Sequence, residues 1–277
     1  MAQAHDQVRR HYDAEADPSP LVTKVIQVLE TLGEAPCSAT QLEGLDQFHV
    51  RGLEATGELV SLVGLRPQMR ILDAGSGLGG PSRFLASLCG CRVTGVDLTP
   101  SYVDVAKILA DWTSLNDRVD YEVGDLLALR FDDQTFDLVW TQHVVMNIAD
   151  RDRLYPELRR VLKPGGQLAF YDVIAADGHP DLVFPVPWAE SADASTLLTE
   201  AETRTALQAA GFHVALWKDV TAEALAWFAE PRPPTSPGLS LATVMGSRFS
   251  VMGANLGRNL NEGRARLVMG VAQAVQA

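Results

Sequence analysis

The sequence predicts a doubly wound α/β fold, a parallel sheet with helices on both faces. Two observations carry this. From about residue 69 onward, short apolar segments alternate with segments whose apolar residues recur at helical spacing, the pattern of repeated strand–helix units. The first junction, Asp73-Ala74-Gly75-Ser76-Gly77-Leu78-Gly79-Gly80-Pro81, places a glycine-rich turn between a buried strand and a helix. There the backbone can bend sharply and a ligand can approach it with no Cβ in the way. With 277 residues, 47% of them apolar, the chain has enough material for one large domain or one domain with a lid.

The elements follow in order. Residues 1 to about 35 read as two helices, the first around Val8 and Tyr12 and the second from Leu21 to Leu32. They precede the sheet and form an N-terminal cap, which together with a Leu45–His49 loop makes up residues 1–51; the sheet domain is 52–277. Gly52 to Val63 is an amphipathic helix leading into strand one, Met69 to Leu72, and the helix after the glycine turn begins at Ser82. Strand two is Arg92 to Val96, ending at Asp97, followed by a helix from Pro100 to Ala110. Strand three is Val119 to Val123 and strand four Phe136 to Thr141. A helix from Asp152 to Leu162 contains Pro156, which removes a backbone donor and predicts a kink or an early stop. Lys163-Pro164-Gly165-Gly166 is a tight turn before strand five, Gln167 to Ile174. Asp177 to Ser195, with Pro180, Pro185 and Pro187, reads as a long loop. Thr199 and Glu202 have the spacing of a capping box for a helix that ends at Gly211. Strand six is Phe212 to Val220. A helical excursion at about 222–262 contains a proline-rich link, and Ala265 to Val275 is the last strand.

Composition narrows the function. The formal charge is −12, and the Arg9-Arg10 and Arg159-Arg160 pairs sit among acids, so neither nucleic acid nor an anionic membrane is the expected partner. No apolar run is long enough to span a bilayer, and the N-terminus is polar, which predicts a cytoplasmic protein. The three cysteines fit a reducing compartment. Cys89 and Cys91 read as small apolar residues at a helix end and a strand start, and no metal site is expected.

In a doubly wound sheet, ligands bind outside the carboxyl ends of the strands. That rim collects Asp73 and the glycine turn, Asp97, Asp125, Gln142-His143 and Tyr171-Asp172. Gly75, Gly77 and Gly80 fit the dinucleotide pattern GxGxxG, while Asp73 with Gly75, Gly77 and Gly79 fits a second turn pattern; the turn alone does not choose. Asp97 is placed to accept two ribose hydroxyls. Asp125 is placed to accept an adenine amino group, with Leu98 and Leu126 sandwiching the ring. The alternative for both acids is helix capping.

Asp73-x-Gly75-x-Gly77-x-Gly79, Asp97, Gly124-Asp125, Phe136-Asp137-Leu138-Val139-Trp140 and Leu162-Lys163-Pro164-Gly165-Gly166 together resemble the class I S-adenosylmethionine-dependent methyltransferases, over roughly residues 45 to 220. Within that class, Leu45–His49, Gly79–Arg83 and Thr141-Gln142 are similar to the sarcosine/dimethylglycine and ubiquinone C-methyltransferase-like group. The resemblance implies a seven-stranded, mostly parallel sheet whose last strand is antiparallel, inserted between strands five and six. It implies S-adenosyl-L-methionine as cofactor. Gly75, Ser76 and Gly77 would lie against its methionine part, Asp97 would hold the ribose, Leu98, Asp125 and Leu126 would surround the adenine, and Gln142 would lie near the sulfonium.

Methyl transfer to a small molecule is therefore the expected activity, with an amine as one acceptor. Oxygen, sulfur or carbon acceptors are alternatives, as is a non-methylating enzyme or a regulatory protein on the same cofactor site. His143 is the best-placed candidate base, since histidine titrates near neutrality, and His49 is a second. Gln47, Phe48, Trp188 and Tyr12 are the candidate acceptor-binding residues. Met245, Phe249 and Met252 offer either another wall or a dimer contact, so a monomer and a homodimer are both open.

Overall fold

A computed structural model describes residues 19–33, 35, 37–230, 240–246 and 248–275. The expected first helix, with Val8 and Tyr12, falls outside the described residues. The cap begins with α1 (Ser19–Leu32), a 3-10 turn (Ala39–Leu42) and a short α2 (Glu43–Asp46), so the segment read as a loop is helical at its start. Then come α3 (Gly52–Ser61), β1 (Arg70–Ala74), α4 (Gly80–Cys89), β2 (Arg92–Asp97), α5 (Pro100–Trp112), β3 (Val119–Val123) and β4 (Phe136–Gln142). The second half contains α6 (Arg151–Val161), β5 (Leu162–Ala175), α7 (Glu200–Ala209), β6 (Phe212–Asp219), α8 (Thr221–Ala229), α9 (Leu241–Met245), α10 (Phe249–Asn261) and β7 (Ala265–Ala274).

The seven strands form one sheet in the order β3-β2-β1-β4-β5-β7-β6. Strands β1 to β5 pair in parallel, and β7 runs antiparallel between β5 and β6. Because side chains alternate along a strand, the inner strands feed two cores. Ile71, Val93, Leu138, Trp140 and Tyr171 pack with Leu59, Leu85 and Leu256 on one face. Leu72, Val96, Val139, Leu168 and Phe170 pack with Leu154, Leu158 and Leu207 on the other. Double burial explains why these strands read as apolar runs rather than as alternating ones.

Three local features differ from the sequence reading. Pro156 does not shorten α6, which is capped by Asp150 through Arg153 N–H at 3.0 Å and reaches Val161. The Lys163–Gly166 segment is part of β5, where a bulge accommodates it opposite Phe136 and Leu138. Cys89 and Cys91 are joined in a disulfide rather than standing apart; Gly90 between them is left-handed (φ 68), which brings their Cα atoms to 5.3 Å.

The cap is fastened by a third core, in which Val25, Leu29, Leu42 and Leu45 meet Leu78, Tyr102, Val105 and Leu109 of the sheet domain. Beneath it, Arg83 of α4 and Asp46 of α2 form a fully buried ion pair at 2.6 Å. Arg83 Nη1 also donates to Leu78 O at 2.8 Å. Burial still pushes the Asp46 carboxyl up to about 6, against the pull of Arg83.

Candidate active site

The turn after β1 uses three left-handed glycines, Gly75 (φ 82), Gly77 (φ 52) and Gly79 (φ 74), a conformation costly to residues with a Cβ. Gly75 N–H and Ser76 N–H donate to Val96 O at 2.8 and 3.1 Å, so β2 shapes the turn. A Cβ at Gly75 would collide with Val144, and one at Gly79 with the Tyr121 phenol. Gly75, Ser76 and Gly77 line a cleft at the rim. Gly79 does not line it and instead caps α4.

Asp97 and Asp125 also line this cleft. Asp97 Oδ2 accepts Gly77 N–H at 2.8 Å and Oδ1 accepts Thr99 N–H at 2.9 Å, so the carboxylate ties the glycine turn to the start of α5. A carboxylate has about four acceptor positions, which leaves capacity for a diol. Asp125 Oδ1 accepts Leu127 N–H at 2.8 Å. Leu98 and Leu126 stand beside these acids in the cleft wall. Asp73 is buried and receives Ser82 Oγ–H at 2.5 Å; burial raises its carboxyl to about 7.

The end of β4 supplies the floor. Gln142 Oε1 accepts from Trp140 Nε1 at 2.8 Å and from Thr56 Oγ at 3.3 Å, while its Nε2 is buried without a partner. Next in the chain, His143 is left-handed (φ 54), and its N–H donates to Tyr171 O at 2.8 Å. His143 Nε2 is likewise buried without a partner, and burial, then the nearby His49, hold the ring well below the usual histidine range. The His49 and His143 ring centroids are 5.9 Å apart. His49 Nε2 lies 3.0 Å from Gln47 Oε1 and 3.2 Å from Thr56 Oγ, and burial lowers its pKa to about 4. Both candidate bases are therefore neutral imidazoles near pH 7.

Of the residues expected to bind an acceptor, Phe48 and Trp188 line the cleft. Phe48 packs edge-on to Tyr102, with centroids 5.5 Å apart. Trp188 is buried, its Nε1 donating to Ser195 Oγ at 2.9 Å. Gln47 is not part of the lining, because its amide oxygen is committed to Thr56 and His49. Tyr12 falls outside the described residues. Met245 and Phe249 complete a wall of the cleft, whereas Met252 is not in it. Sequence reasoning missed Val144, Met146 and Ile148, which also line it. Their position just beyond β4, on the ligand rim, was the available signal.

The buried, unpartnered Ser76 Oγ, Gln142 Nε2 and His143 Nε2 in one cleft with a left-handed glycine turn fit a bound polar ligand, since such atoms otherwise cost stability. The Asp97–Leu98 and Asp125–Leu126 pairs give two carboxylate acceptors and two apolar side chains, a set that suits a nucleoside. Among the described residues no group of His, Cys, Asp or Glu is arranged to hold a metal ion, and no helix is long and apolar enough to cross a membrane.

Comparison with known proteins agrees with this fold. Residues 72–170 match the family described as "Methyltransferase domain". The glycine/sarcosine/dimethylglycine N-methyltransferase of Actinopolyspora halophila is 36% identical over 115 residues, 42% of this chain and 20% of that protein. Among solved structures, geranyl diphosphate C-methyltransferase from Streptomyces coelicolor A3(2), in complex with Mg2+, geranyl-S-thiolodiphosphate and S-adenosyl-L-homocysteine, superposes with a TM-score of 0.72, 17% identity and 98% of both chains covered. The [4+2]-cyclase SpnF has a TM-score of 0.65 at 20% identity, covering 93% of this chain and 94% of its own. These likenesses establish the sheet and its inserted antiparallel strand as a methyltransferase-type fold. The chain spans between a fifth and about half the length of the curated relatives it matches.

Proposed function

We propose that this protein transfers a methyl group from S-adenosyl-L-methionine to a small-molecule acceptor. The carrying observation is the cleft itself: glycine turn, Asp97, Asp125 and three buried, unpartnered polar atoms on one rim. The cofactor would supply an activated methyl on a sulfonium. The protein's own part is to align and to keep out water. Asp97 would hold the ribose hydroxyls, Leu98 and Leu126 the adenine faces and Asp125 its amino group, while Gly75, Ser76 and Gly77 leave room for the amino-acid end.

Phe48, Met146, Trp188 and Phe249 give the acceptor an apolar enclosure. A neutral His143 accepts a hydrogen bond from an acceptor N–H or O–H at Nε2 and orients its lone pair; its depressed pKa suits this better than strong base catalysis. An amine fits this reading, because a neutral amine carries its own lone pair, and an N-methyltransferase is among the relatives. Phenols and thiols are the second acceptor class; a neutral His143 would orient their O–H or S–H, and the proton would leave to solvent. The reading extends to a monomer or homodimer in the cytoplasm, and the charge of −12 argues against nucleic acid as the acceptor.

Incubation with radiolabelled S-adenosylmethionine and a panel of amines, phenols and thiols tests the proposal. Label appears in one acceptor class, and calorimetry shows binding of S-adenosylhomocysteine but not NAD. Binding of NAD alone would overturn it. Product formation without methyl consumption would instead indicate chemistry of the cyclase kind.

A further inference from the structure

The turn after β4 is held by a buried carboxylate that the proposed reaction does not use. Asp172 stands late in β5 and is 6% exposed. Its Oδ1 accepts Val144 N–H at 3.0 Å and Val145 N–H at 3.3 Å. With His143 N–H on Tyr171 O, three consecutive amides are fixed to β5. His143 is left-handed and Val144 follows at φ −114, ψ −48. Such handedness reversal aims successive N–H groups at one point and makes a cradle for an anion. A left-handed non-glycine residue is strained by roughly 1–2 kcal/mol and persists only where its surroundings hold it.

The far side of Asp172 faces a small cavity of about 20 Å³ shared with Arg151, Tyr155, Thr141 and Thr203. Arg151 is itself buried, and its charge partly offsets the burial that pushes the Asp172 carboxyl up to about 7. Arg151 Nη2 donates to Thr196 O at 2.9 Å, and Thr196 Oγ donates to Met146 O at 2.8 Å. The carboxylate thus sits where β5, α6 and the segment carrying Trp188 meet the cleft floor.

We propose that Asp172 is the positioning residue of that floor: its carboxylate fixes the His143–Val145 turn, holds the His143 ring in the cleft wall and seats the Val144 side chain over Gly75. Its bearing on catalysis rests on the methyl-transfer reading; the geometry does not. The titratable groups facing Asp172 are Arg151 and Tyr155 of α6, and those facing His143 are His49 and Tyr171.

The experiment follows His143 by imidazole NMR across pH 5–8 in wild type, Asp172→Asn and Asp172→Ala, together with calorimetry of S-adenosylhomocysteine. Wild type shows no His143 titration in the ordinary histidine range. Asp172→Asn, which keeps an oxygen for both amides, shows the same. Asp172→Ala releases the turn, so His143 titrates near its ordinary value of about 6.5 and S-adenosylhomocysteine affinity falls about tenfold as Val144 leaves its seat against Gly75. A merely structural carboxylate would lower the melting point without moving the His143 titration. In wild type, the Val144 and Val145 amides exchange at least about a hundredfold slower than free amides.

An untitrated His143 with unchanged affinity in Asp172→Ala overturns the proposal. If that variant does not fold, fast amide exchange in wild type or a titrating His143 in Asp172→Asn overturns it. Wild type that fails to bind S-adenosylhomocysteine while His143 and the amides behave as stated overturns the methyl-transfer reading and leaves the clamp standing.

Discussion

Replacing Asp97 with alanine separates the two roles the structure gives this carboxylate. On sequence grounds the variant loses cofactor affinity and keeps its ligand-free melting point. The structure changes the second half, because Gly77 N–H and Thr99 N–H both end on Asp97, at 2.8 and 2.9 Å. Hydrogen bonds to a charged acceptor are worth about 1.5–3 kcal/mol at best, but water can reach amides at a half-buried rim, so about 1 kcal/mol each is appropriate here. The pair then amounts to about 2 kcal/mol, a fall of about 4–8 °C in melting temperature for a chain of this size. The ribose contacts are lost as well, so S-adenosylhomocysteine should bind at least about tenfold more weakly. Calorimetry on the ligand-free protein gives the first number and titration calorimetry the second. A lowered melting point with unchanged affinity would refute the ribose assignment and leave Asp97 as a turn clamp. Unchanged melting with lost affinity would refute the structural half.

Three further outcomes are expected. Trp188→Ala lowers methyl transfer while S-adenosylhomocysteine affinity stays within about threefold, since Trp188 belongs to the proposed acceptor wall; an equal loss in both would remove it from that wall. Asp46→Ala strands the buried Arg83 guanidinium and costs about 3–5 kcal/mol in urea denaturation, whereas Asp46→Leu with Arg83→Met recovers much of the loss; a double variant no better than the single would contradict this. Asp73 and Asp172 titrate near 7 because burial raises them, so the folded state holds protons that the unfolded chain has released, and the stability they contribute is lost as pH rises through 7. His49 and His143 are depressed and act oppositely, gaining stability as pH rises through the unfolded histidine value of about 6.5. From pH 6.5 to 8 the two acids outweigh the remaining half of the histidine titration, and ligand-free stability falls by about 1 kcal/mol; a melting temperature that rises over that interval would exclude the raised carboxyls.

The inner strands were legible because burial on both faces leaves a continuous apolar signature, as in Ile71-Leu72 and Leu138-Val139-Trp140. The rim residues were legible because strand ends in a doubly wound sheet converge by topology. What stayed hidden depends on distances between segments. Nothing near Asp46 in the chain announces Arg83, and nothing near Gln47 announces that Thr56 will turn its amide away from the cleft. The left-handed His143 was invisible for the same reason: the residue that holds its turn, Asp172, lies on another strand. The proline in α6 misled because propensity is local, whereas Leu154, Leu158 and Val161 anchor that helix in the core.

The inserted strand has a consequence for how the molecule is assembled. Strands β1 to β5 each find a neighbour among themselves, but β6 pairs with β7 and with no earlier strand, and β7 also covers the edge of β5 from Gln167 to Ala175. As the chain is synthesised, β5 therefore presents an unpaired edge, and β6 waits without a partner, until residues 265–274 have emerged. An open apolar edge is a template for pairing with another chain, and long-range pairings of this kind form slowly. The interval between β5 and β7 is thus the stage at which a nascent or truncated chain is most exposed to aggregation, and removing β7 would detach β6 from the sheet altogether.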